Sequence, residues 1–166
     1  MKKIFFVIPA YNEGKSIRGV VEELKKAGYR NIVVIDDGSA DNTSNEAQKA
    51  GVAVIKHIIN RGQGASLKTG MDYALMNGAD VIVTFDSDGQ HRVEDLPAML
   101  KPVLNGDVDV TLGSRFIKET KLPFGRKLIL KIAVLVQYLF YGVKLTDAHN
   151  GFRVLSRKAA QKIDIE

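Results

Sequence analysis

The sequence predicts an α/β fold in which a mostly parallel sheet carries helices on both faces. Short apolar runs rich in β-branched residues alternate with amphipathic segments as far as residue 116, which is the pattern of a doubly wound parallel sheet. The chain has 166 residues, of which 45% are hydrophobic and 26% are charged, so a domain with a substantial core is expected.

The strands are predicted from apolar runs bounded by polar or glycine-rich loops. They cover residues 3–9, 31–35, 53–57, 80–85 and 108–112. The first run follows two lysines but is only about six residues long, which is shorter than the apolar core of a signal peptide. We therefore interpret it as the first strand.

The helices between the strands are predicted from apolar residues at helical spacing. The first lies between Ser16, which can cap it, and Gly28, which can end it, because apolar residues at 17, 20, 21 and 24 share one face. A short polar helix is expected before Gly51. Two further helices carry apolar faces around residues 67–75 and 96–104.

The last third of the chain departs from this alternation. Residues 118–127 are basic and contain Pro123 and Gly125, and residues 128–141 are apolar almost all round. Such a segment is too short to span a bilayer. A buried helix, a helix lying in the membrane interface and an oligomer contact remain open for it, and a short basic helix is expected at the end.

The charge of the chain is unevenly distributed. The net charge is +5, but residues 1–114 carry −2 and residues 115–166 carry +7. This asymmetry indicates an anionic partner, such as a phosphate group, an acidic membrane surface or a nucleic acid, although a solvated basic face would look the same. Cysteine is absent, which excludes disulfides, thiolate metal sites and cysteine nucleophiles.

Two carboxylates one residue apart, Asp86 and Asp88, follow the predicted strand at 80–85, and Gly89 and Gln90 come next. Ligands of open parallel sheets bind outside the carboxyl ends of the strands. Carboxylate and amide oxygens this close suit a hard divalent cation that also holds phosphate oxygens. A capped turn is the alternative, because Asp and Gly are ordinary turn residues.

Other polar loops follow other predicted strands and should share the same edge of the sheet. Tyr11 offers a ring for base stacking, and Glu13 offers a carboxylate for a ribose or base donor. Asp37 could accept from a uracil or guanine N–H, or form a turn and helix cap. The glycine-rich loop 60–64 could present backbone N–H groups to an anion. Arg115 follows the strand at 108–112 and could hold pyrophosphate.

Six segments in this order resemble the inverting glycosyltransferases of family 2, and most closely the branch that makes polyprenyl-phosphate sugars: IPAYNE, DDGS, NRGQGA, DSDGQH, GSRF and D-x-x-NGFR. The resemblance covers nearly the whole chain. It implies the GT-A fold, which is Rossmann-like, together with a nucleotide-sugar donor and Mg²⁺ or Mn²⁺. Members of this branch usually continue past the NGFR region, so we expect residues 1–166 to form a single glycosyltransferase domain that is truncated at its C-terminal end.

The resemblance also implies roles for individual residues. The nucleoside and its diphosphate would be held by Pro9, Tyr11, Glu13, Ile35, Asp37, Asp86, Ser87, Asp88 and Arg115. The metal would be held by Asp86, Asp88 and Gln90. The catalytic residues would be Asp88, Arg115 and Arg126, the two arginines contacting the donor diphosphate or an acceptor phosphate.

The implied reaction moves a hexose, mannose or glucose, from a GDP- or UDP-linked donor to a polyprenyl or dolichyl phosphate. A phosphate acceptor is preferred to a hydroxyl because it is already ionised near neutral pH, since its second pKa is about 6, and because the basic last third can attract it. We expect a cytoplasmic protein held peripherally at the inner face of an anionic membrane, with no nucleic-acid partner. A homo-oligomer remains open.

Several alternatives accompany this interpretation. Within the class, the acceptor could be a sugar hydroxyl, as in polysaccharide synthesis, and outside it the chain could be a non-catalytic nucleotide-sugar-binding module. A haloacid-type phosphatase would use D-x-D-x-[TV], but Gln90 occupies the fifth position. A dinucleotide oxidoreductase would carry G-x-G-x-x-G directly after the first strand, where this chain has AYNEG.

Overall fold

The computed structural model describes residues 2–89, 91–113 and 151–163. The chain divides into two compact units, residues 1–111 with 152–166, and residues 112–151. The first unit is built on a six-stranded sheet with the order β3-β2-β1-β4-β6-β5. The strands are β1 (Ile4–Ala10), β2 (Asn31–Asp36), β3 (Ala53–Lys56), β4 (Val81–Thr84), β5 (Val110–Leu112) and β6 (Arg153–Ser156).

Strands β1 to β4 form a continuous parallel sheet, and β6 adds to it in the opposite direction. β1 pairs with both β2 and β4, while β2 also pairs with β3, all in parallel register. β6 pairs with β4 antiparallel, from Val81 opposite Ser156 to Thr84 opposite Arg153. The carboxyl ends of β1, β2, β3 and β4 therefore meet at one edge of the sheet, as the sequence predicts.

Helices cover both faces of the sheet in the described part of the chain. They are α1 (Ile17–Lys26), α2 (Thr43–Lys49), α3 (Gln63–Met76), α4 (Leu96–Asn105) and α5 (Arg157–Lys162). Apolar residues of α1, α2 and α4 pack in one core cluster, and those of α3 and α5 pack in the other. None of the helices within the described ranges is long and apolar enough to cross a membrane.

Helix α3 approaches the sheet closely because it carries a glycine at the point of contact. A Cβ added at Gly70 would lie 2.2 Å from Val7 Cγ1 and 3.1 Å from Ile35 Cγ1. The absence of a side chain therefore lets the helix axis lie directly over β1 and β2. This contact fixes the N-terminus of α3 at the edge of the sheet where the polar loops meet.

Strand β6 is the element that the sequence analysis did not predict. Residues 153–156 were expected to lie in a loop or in the short basic helix, whereas they pair with β4 and only then lead into α5. Val154 and Leu155 are buried, but two apolar residues in a row show neither helical nor strand periodicity. The pairing with β4 decides their conformation, and β4 lies about 70 residues away in the sequence.

Candidate functional site

A cleft of about 380 Å³ opens at the carboxyl edge of the parallel strands. Its volume lies within the range of small-molecule and cofactor sites. The residues that line it come from the end of β1, from the loops after β1, β2, β3 and β4, and from the first turn of α3: Pro9, Ala10, Tyr11, Glu13, Asp37, Asn60, Gly62, Gln63, Ser66, Asp86, Ser87 and Asp88. The predicted nucleotide and metal loops therefore lie around one cavity.

The loop after β1 is fixed by hydrogen bonds to the segment that follows β2. Asn12 has a positive φ of 56°, and its amide N–H donates to Ser39 Oγ at 2.9 Å. The Asn12 side-chain oxygen accepts from the N–H of Ala40, and the N–H of Glu13 donates to Thr43 Oγ1. The two loops form one unit, so Tyr11 and Glu13 are held at the cleft before any ligand binds.

Glu13 is oriented by Ser16, which the sequence predicted as a helix cap. Ser16 occupies the N-cap position of α1, but its hydroxyl donates to the Glu13 carboxylate at 2.5 Å and makes no side-chain capping bond. The hydroxyl therefore serves to hold the Glu13 carboxylate, a charge-assisted acceptor, rather than to accept from the first turn of the helix. Tyr11 is half exposed at the rim of the cleft, where its ring is available to a planar ligand.

The two aspartates at the end of β2 have different roles. Asp36 is fully buried and structural: its carboxylate accepts from the Ser39 N–H and the Ser44 hydroxyl and lies 3.6 Å from Lys56 Nζ. Burial raises the pKa of Asp36, but the hydrogen bonds and the ammonium outweigh burial and hold the pKa below its ordinary value. Asp37 faces the cleft.

Asp37 accepts three hydrogen bonds from the segment after β3. Its Oδ1 accepts from His57 Nδ1 at 2.7 Å and from the Arg61 N–H at 3.0 Å, and its Oδ2 accepts from the Gly62 N–H at 2.7 Å. An ionised carboxylate only accepts, so His57 carries its proton on Nδ1, and Nε2 faces Thr69 Oγ1 at 3.0 Å. Burial raises the pKa of Asp37, but these hydrogen bonds hold the pKa below its ordinary value.

This network changes the interpretation of the glycine-rich loop. Its backbone N–H groups do face an anion, as the sequence predicts, but for Arg61 and Gly62 that anion is the carboxylate of Asp37. The backbone also closes tightly here: Gly38 has a φ of 73°, and a Cβ at that position would lie 2.7 Å from Asn60 N and Ile59 C. Only glycine fits both requirements.

Asp86 is held by His91, which lies in the turn after β4. His91 Nε2 is 2.6 Å from Asp86 Oδ2. The imidazole packs edge-on against Phe85 and obliquely against Phe152, with ring centroids 5.2 Å away in each case. Because these rings restrict the imidazole, Asp86 Oδ2 is held in place, while the side chain keeps 28% of its surface exposed.

Ser87 and Asp88 complete the lining on the β4 side. Ser87 is buried and Asp88 is exposed, and both contact the cleft. Gly89 has a φ of 74°, so the chain reverses immediately after the acid pair. The aspartates are thus presented at the cleft by a tight turn at the end of a buried strand.

The first turn of α3 supplies donors to the cleft. Gln63 and Ser66 line it, and the N–H groups of the first turn of a helix have no acceptor within the helix. The Ser66 hydroxyl is fully buried and, among the described residues, is the buried side-chain polar atom without a hydrogen-bond partner. Such an atom calls for an explanation, and a ligand acceptor in the cleft would provide one.

The described lining of the cleft is strongly acidic. It contains the carboxylates of Glu13, Asp37, Asp86 and Asp88, and no lysine or arginine from the described ranges. A phosphate group brought there would be repelled by these carboxylates. Cations must therefore accompany any phosphorylated ligand.

Asp86 and Asp88 fit a divalent metal that is bound together with phosphate oxygens. Within the residues that the structure covers, no cluster of three or more His, Cys, Asp or Glu forms a metal cage. Mg²⁺-type ions are commonly held by one or two carboxylates, water and substrate phosphates, without such a cage. The two aspartates in the lining of the cleft have the donor chemistry for this mode of binding.

Most, but not all, of the site residues predicted from the sequence and described by the structure line the cleft. Pro9, Tyr11, Glu13, Asp37, Asp86, Ser87 and Asp88 all line it. Ile35 does not: it is fully buried in the core beneath α3, because residues alternate between the two faces of β2. Gln90, Arg115, Arg126 and the apolar segment 128–141 lie outside the described residues, and their roles remain predictions.

Two histidines that sequence reasoning passed over support the site. His57 holds Asp37, and His91 holds Asp86. His91 belongs to the DSDGQH segment, so its position five residues after Asp86 was a usable signal. His57 carried no such signal, because its partner lies 20 residues earlier.

Comparisons with known proteins identify the family of this chain. The family model described as glycosyl transferase family 2 matches residues 5–164. An uncharacterized protein of Methanocaldococcus jannaschii is 44% identical over 97% of this chain and 68% of its own length. The UDP-N-acetylglucosamine–dolichyl-phosphate N-acetylglucosaminyltransferase of Methanococcus voltae is 36% identical over 95% of this chain and 71% of its own. Polyprenol monophosphomannose synthase of Mycolicibacterium smegmatis is 31% identical over 99% of this chain and 65% of its own length.

A solved structure shares the fold. Glucosyl-3-phosphoglycerate synthase from Mycobacterium tuberculosis, in complex with Mn²⁺, UDP-glucose and phosphoglyceric acid, superposes with a TM-score of 0.76 at 21% identity. The match covers 95% of this chain and 57% of that one, so the chain spans just over half of the solved protein. The family match over nearly all its residues, together with the sheet and cleft described above, shows that this chain belongs to glycosyl transferase family 2 and has the GT-A fold.

Proposed function

We propose that this chain transfers a sugar from a nucleoside diphosphate to the phosphate of a polyprenyl lipid, with inversion at the anomeric carbon. The observation that carries the proposal is the acidic cleft at the carboxyl edge of the sheet, where the side chains that we assign to the base and to the metal line one cavity. The lipid acceptor is supported by two relatives named for dolichyl-phosphate and polyprenol substrates. The basic charge of residues 115–166 also supports it.

The described residues divide the donor between two ends of the cleft. Asp37 accepts from the base, Tyr11 stacks on it, and Glu13, oriented by Ser16, accepts from ribose or base. Asp86 and Asp88, together with Gln90, would hold Mg²⁺ or Mn²⁺ at the other end. A metal bound there would supply positive charge to the departing nucleoside diphosphate.

The reaction is one displacement. An oxygen of the acceptor phosphate forms a bond to the anomeric carbon while the bond from that carbon to the nucleoside diphosphate breaks, and the electron pair leaves with the diphosphate. No proton needs to be removed, because a phosphate monoester is largely ionised at neutral pH. What the acceptor needs is positive charge, which we assign to Arg115 and Arg126.

The sugar belongs to the hexose class. Glucose and mannose are the first candidates, and N-acetylglucosamine joins them because a relative at 36% identity is named for that donor. The domain, which we propose to extend over residues 1–166, would work peripherally at the cytoplasmic face of an anionic membrane. That location would bring the basic last third and the apolar segment 128–141 to the lipid.

A transfer assay tests the proposal directly. The full chain is incubated with Mn²⁺, labelled UDP-glucose, UDP-N-acetylglucosamine or GDP-mannose, and polyprenyl phosphate. We expect label in the organic phase with one donor, and none when polyprenyl alcohol replaces the phosphate. Asp88→Ala should abolish transfer. Asp107→Ala, which alters an exposed carboxylate outside the cleft lining, should not.

The same assay separates the alternatives. Label on an oligosaccharide, with none on the lipid, would support a sugar-hydroxyl acceptor, for which a cleft carboxylate would have to act as base. Donor binding without transfer to any acceptor would support a non-catalytic binding module. Either result would overturn the proposal.

A further inference from the structure

Two isoleucines side by side are exposed in the β3–α3 loop, residues 57–62. Ile58 is 99% exposed and Ile59 is 68% exposed. Single exposed apolar residues are ordinary on protein surfaces, but an adjacent pair in one loop forms an apolar patch. Neither side chain belongs to the two core clusters or to the lining of the cleft. Their exposure therefore serves neither the core nor the donor site described above.

The backbone of the β3–α3 loop is anchored on both sides of the pair. Before it, the His57 N–H donates to Asp36 O at 2.9 Å. After it, the Arg61 N–H donates to Asp37 Oδ1 at 3.0 Å. The backbone between these bonds also packs against Gly38. The isoleucine side chains would have to break these contacts to fold back onto the domain, so the loop presents them to its surroundings.

The pair lies beside the cleft. Ile58 and Ile59 come two residues after the carboxyl end of β3, and Asn60 and Gly62, which follow them, both line the cleft. A surface that covers the isoleucines would therefore lie next to the mouth of the proposed active site.

The charges of the loop favour an anionic surface. Residues 56–62 contain Lys56 and Arg61 and no carboxylate. Lys56 is half exposed and lies 3.6 Å from the buried Asp36, which offsets its charge, whereas Arg61 is exposed and belongs to none of the ion pairs among the described residues. At a membrane surface, apolar side chains enter the boundary between headgroups and acyl chains while nearby cations meet anionic headgroups. The acidic lining of the cleft would repel the same surface, so we expect the isoleucines to supply most of the affinity of the loop.

We propose that the β3–α3 loop inserts Ile58 and Ile59 into the surface of an anionic membrane and so holds the cleft against the lipid. The role in transfer rests on the proposed function, whereas the insertion depends on the loop alone. Two side chains are a weak anchor, because stable membrane binding takes a second signal. The loop therefore orients the cleft, and the basic charge of the chain supplies the remaining attraction.

Tryptophan emission tests the insertion, because the chain contains no tryptophan of its own. Ile58→Trp, bound at low salt to vesicles of phosphatidylcholine and phosphatidylserine, should shift its emission to the blue and be quenched by brominated acyl chains. Met76→Trp is the matched control. Met76 is 81% exposed, but it ends α3 at the opposite edge of the sheet, where Lys3 Nζ donates to Asn77 O. Its replacement should show neither the shift nor the quenching.

Three results would overturn the inference. Unquenched emission from vesicle-bound Ile58→Trp would show that another part of the chain makes the membrane contact. Blue emission before vesicles are added would show that protein covers the loop: a second copy if the shift depends on concentration, and the same chain if it does not. Absence of binding to the anionic vesicles at low salt would exclude insertion altogether.

A double variant, Ile58→Ser with Ile59→Ser, connects insertion to transfer. Its affinity for the same vesicles should fall at least about tenfold, and the KM for polyprenyl phosphate in vesicles should rise by a similar factor. The Kd for UDP with Mn²⁺ should stay at the wild-type value, because neither side chain lines the cleft. Unchanged vesicle affinity would refute the inference. Failure of the wild type to bind nucleotide or transfer sugar would instead overturn the proposed function, and tryptophan emission would still decide the insertion.

Discussion

The hydrogen bonds that Asp37 accepts predict that this residue stabilises the fold, in addition to the base-binding role that we propose for it. Asp37→Ala removes a buried acceptor and leaves the His57 Nδ1–H and the N–H groups of Arg61 and Gly62 without it. A hydrogen bond to a charged group contributes about 1.5–3 kcal/mol. Because water can reach the two loop amides after the change, we expect a loss of about 3–5 kcal/mol, less than three full contributions.

Urea denaturation followed by circular dichroism measures this loss. With a slope of about 2 kcal/mol per molar urea, the midpoint of Asp37→Ala should fall by roughly 2 M. Asp86→Ala is the matched control, because that carboxylate is partly exposed and accepts from one described side chain, His91. It should cost about 1 kcal/mol. A loss below about 1 kcal/mol for Asp37→Ala would show that the carboxylate does not hold the loop.

The pH dependence of the stability difference between the wild type and Asp37→Ala provides a second check. The folded pKa of Asp37 is lowered, so its contribution is fully present above the unfolded pKa of about 3.9 and is lost as pH falls through the lower folded value. The stability gap between the wild type and Asp37→Ala should therefore be constant near neutral pH and narrow below about pH 4. A gap that widens in acid would contradict the assignment.

Three further predictions concern other parts of the chain. His91→Phe keeps a ring between the two phenylalanines but removes the donor to Asp86, so it should weaken Mn²⁺-dependent nucleotide binding and leave binding in EDTA unchanged; titration in both conditions checks this. Gly70→Ala should destabilise the fold by about 1–3 kcal/mol in the same urea assay, since the added Cβ would lie 2.2 Å from Val7 Cγ1. Gly19→Ala in α1 is the control: the space around it is open, so this substitution should stabilise the fold by up to about 1 kcal/mol. The chain should sediment with anionic vesicles at low salt and be released by high salt, because each Lys or Arg near the surface contributes about 1 kcal/mol and salt screens it; absence of sedimentation at low salt would remove the charge argument for a lipid acceptor.

The parallel sheet and the location of the cleft were accessible from the sequence because both depend on local patterns. Apolar runs of four to seven residues produced β1 to β4, and polar residues placed directly after strands had to meet at one edge. The acid pair after β4 and the residues after β1 could therefore be assigned to one site before any contact was known.

What the sequence could not provide depends on contacts between distant residues. The donors to Asp37 come from residues 20 to 25 positions later, and nothing in the spacing of the glycine-rich loop tells a ligand phosphate from the chain's own carboxylate. Strand β6 was missed for a related reason, since its conformation is set by pairing with β4. Ser16 was expected to cap α1, but it donates to Glu13, which lies beside it only because the β1 loop is folded.

The central claim is that Asp86 and Asp88 bind a divalent cation together with the diphosphate of the donor. Titrating UDP into the wild type, Asp86→Ala, Asp88→Ala and Asp107→Ala, each with Mn²⁺ and with EDTA, tests it most directly. We predict that Mn²⁺ lowers the Kd at least tenfold in the wild type and in Asp107→Ala, and has no effect in the other two variants. If folded Asp86→Ala and Asp88→Ala proteins both keep the wild-type gain from Mn²⁺, the metal assignment is wrong.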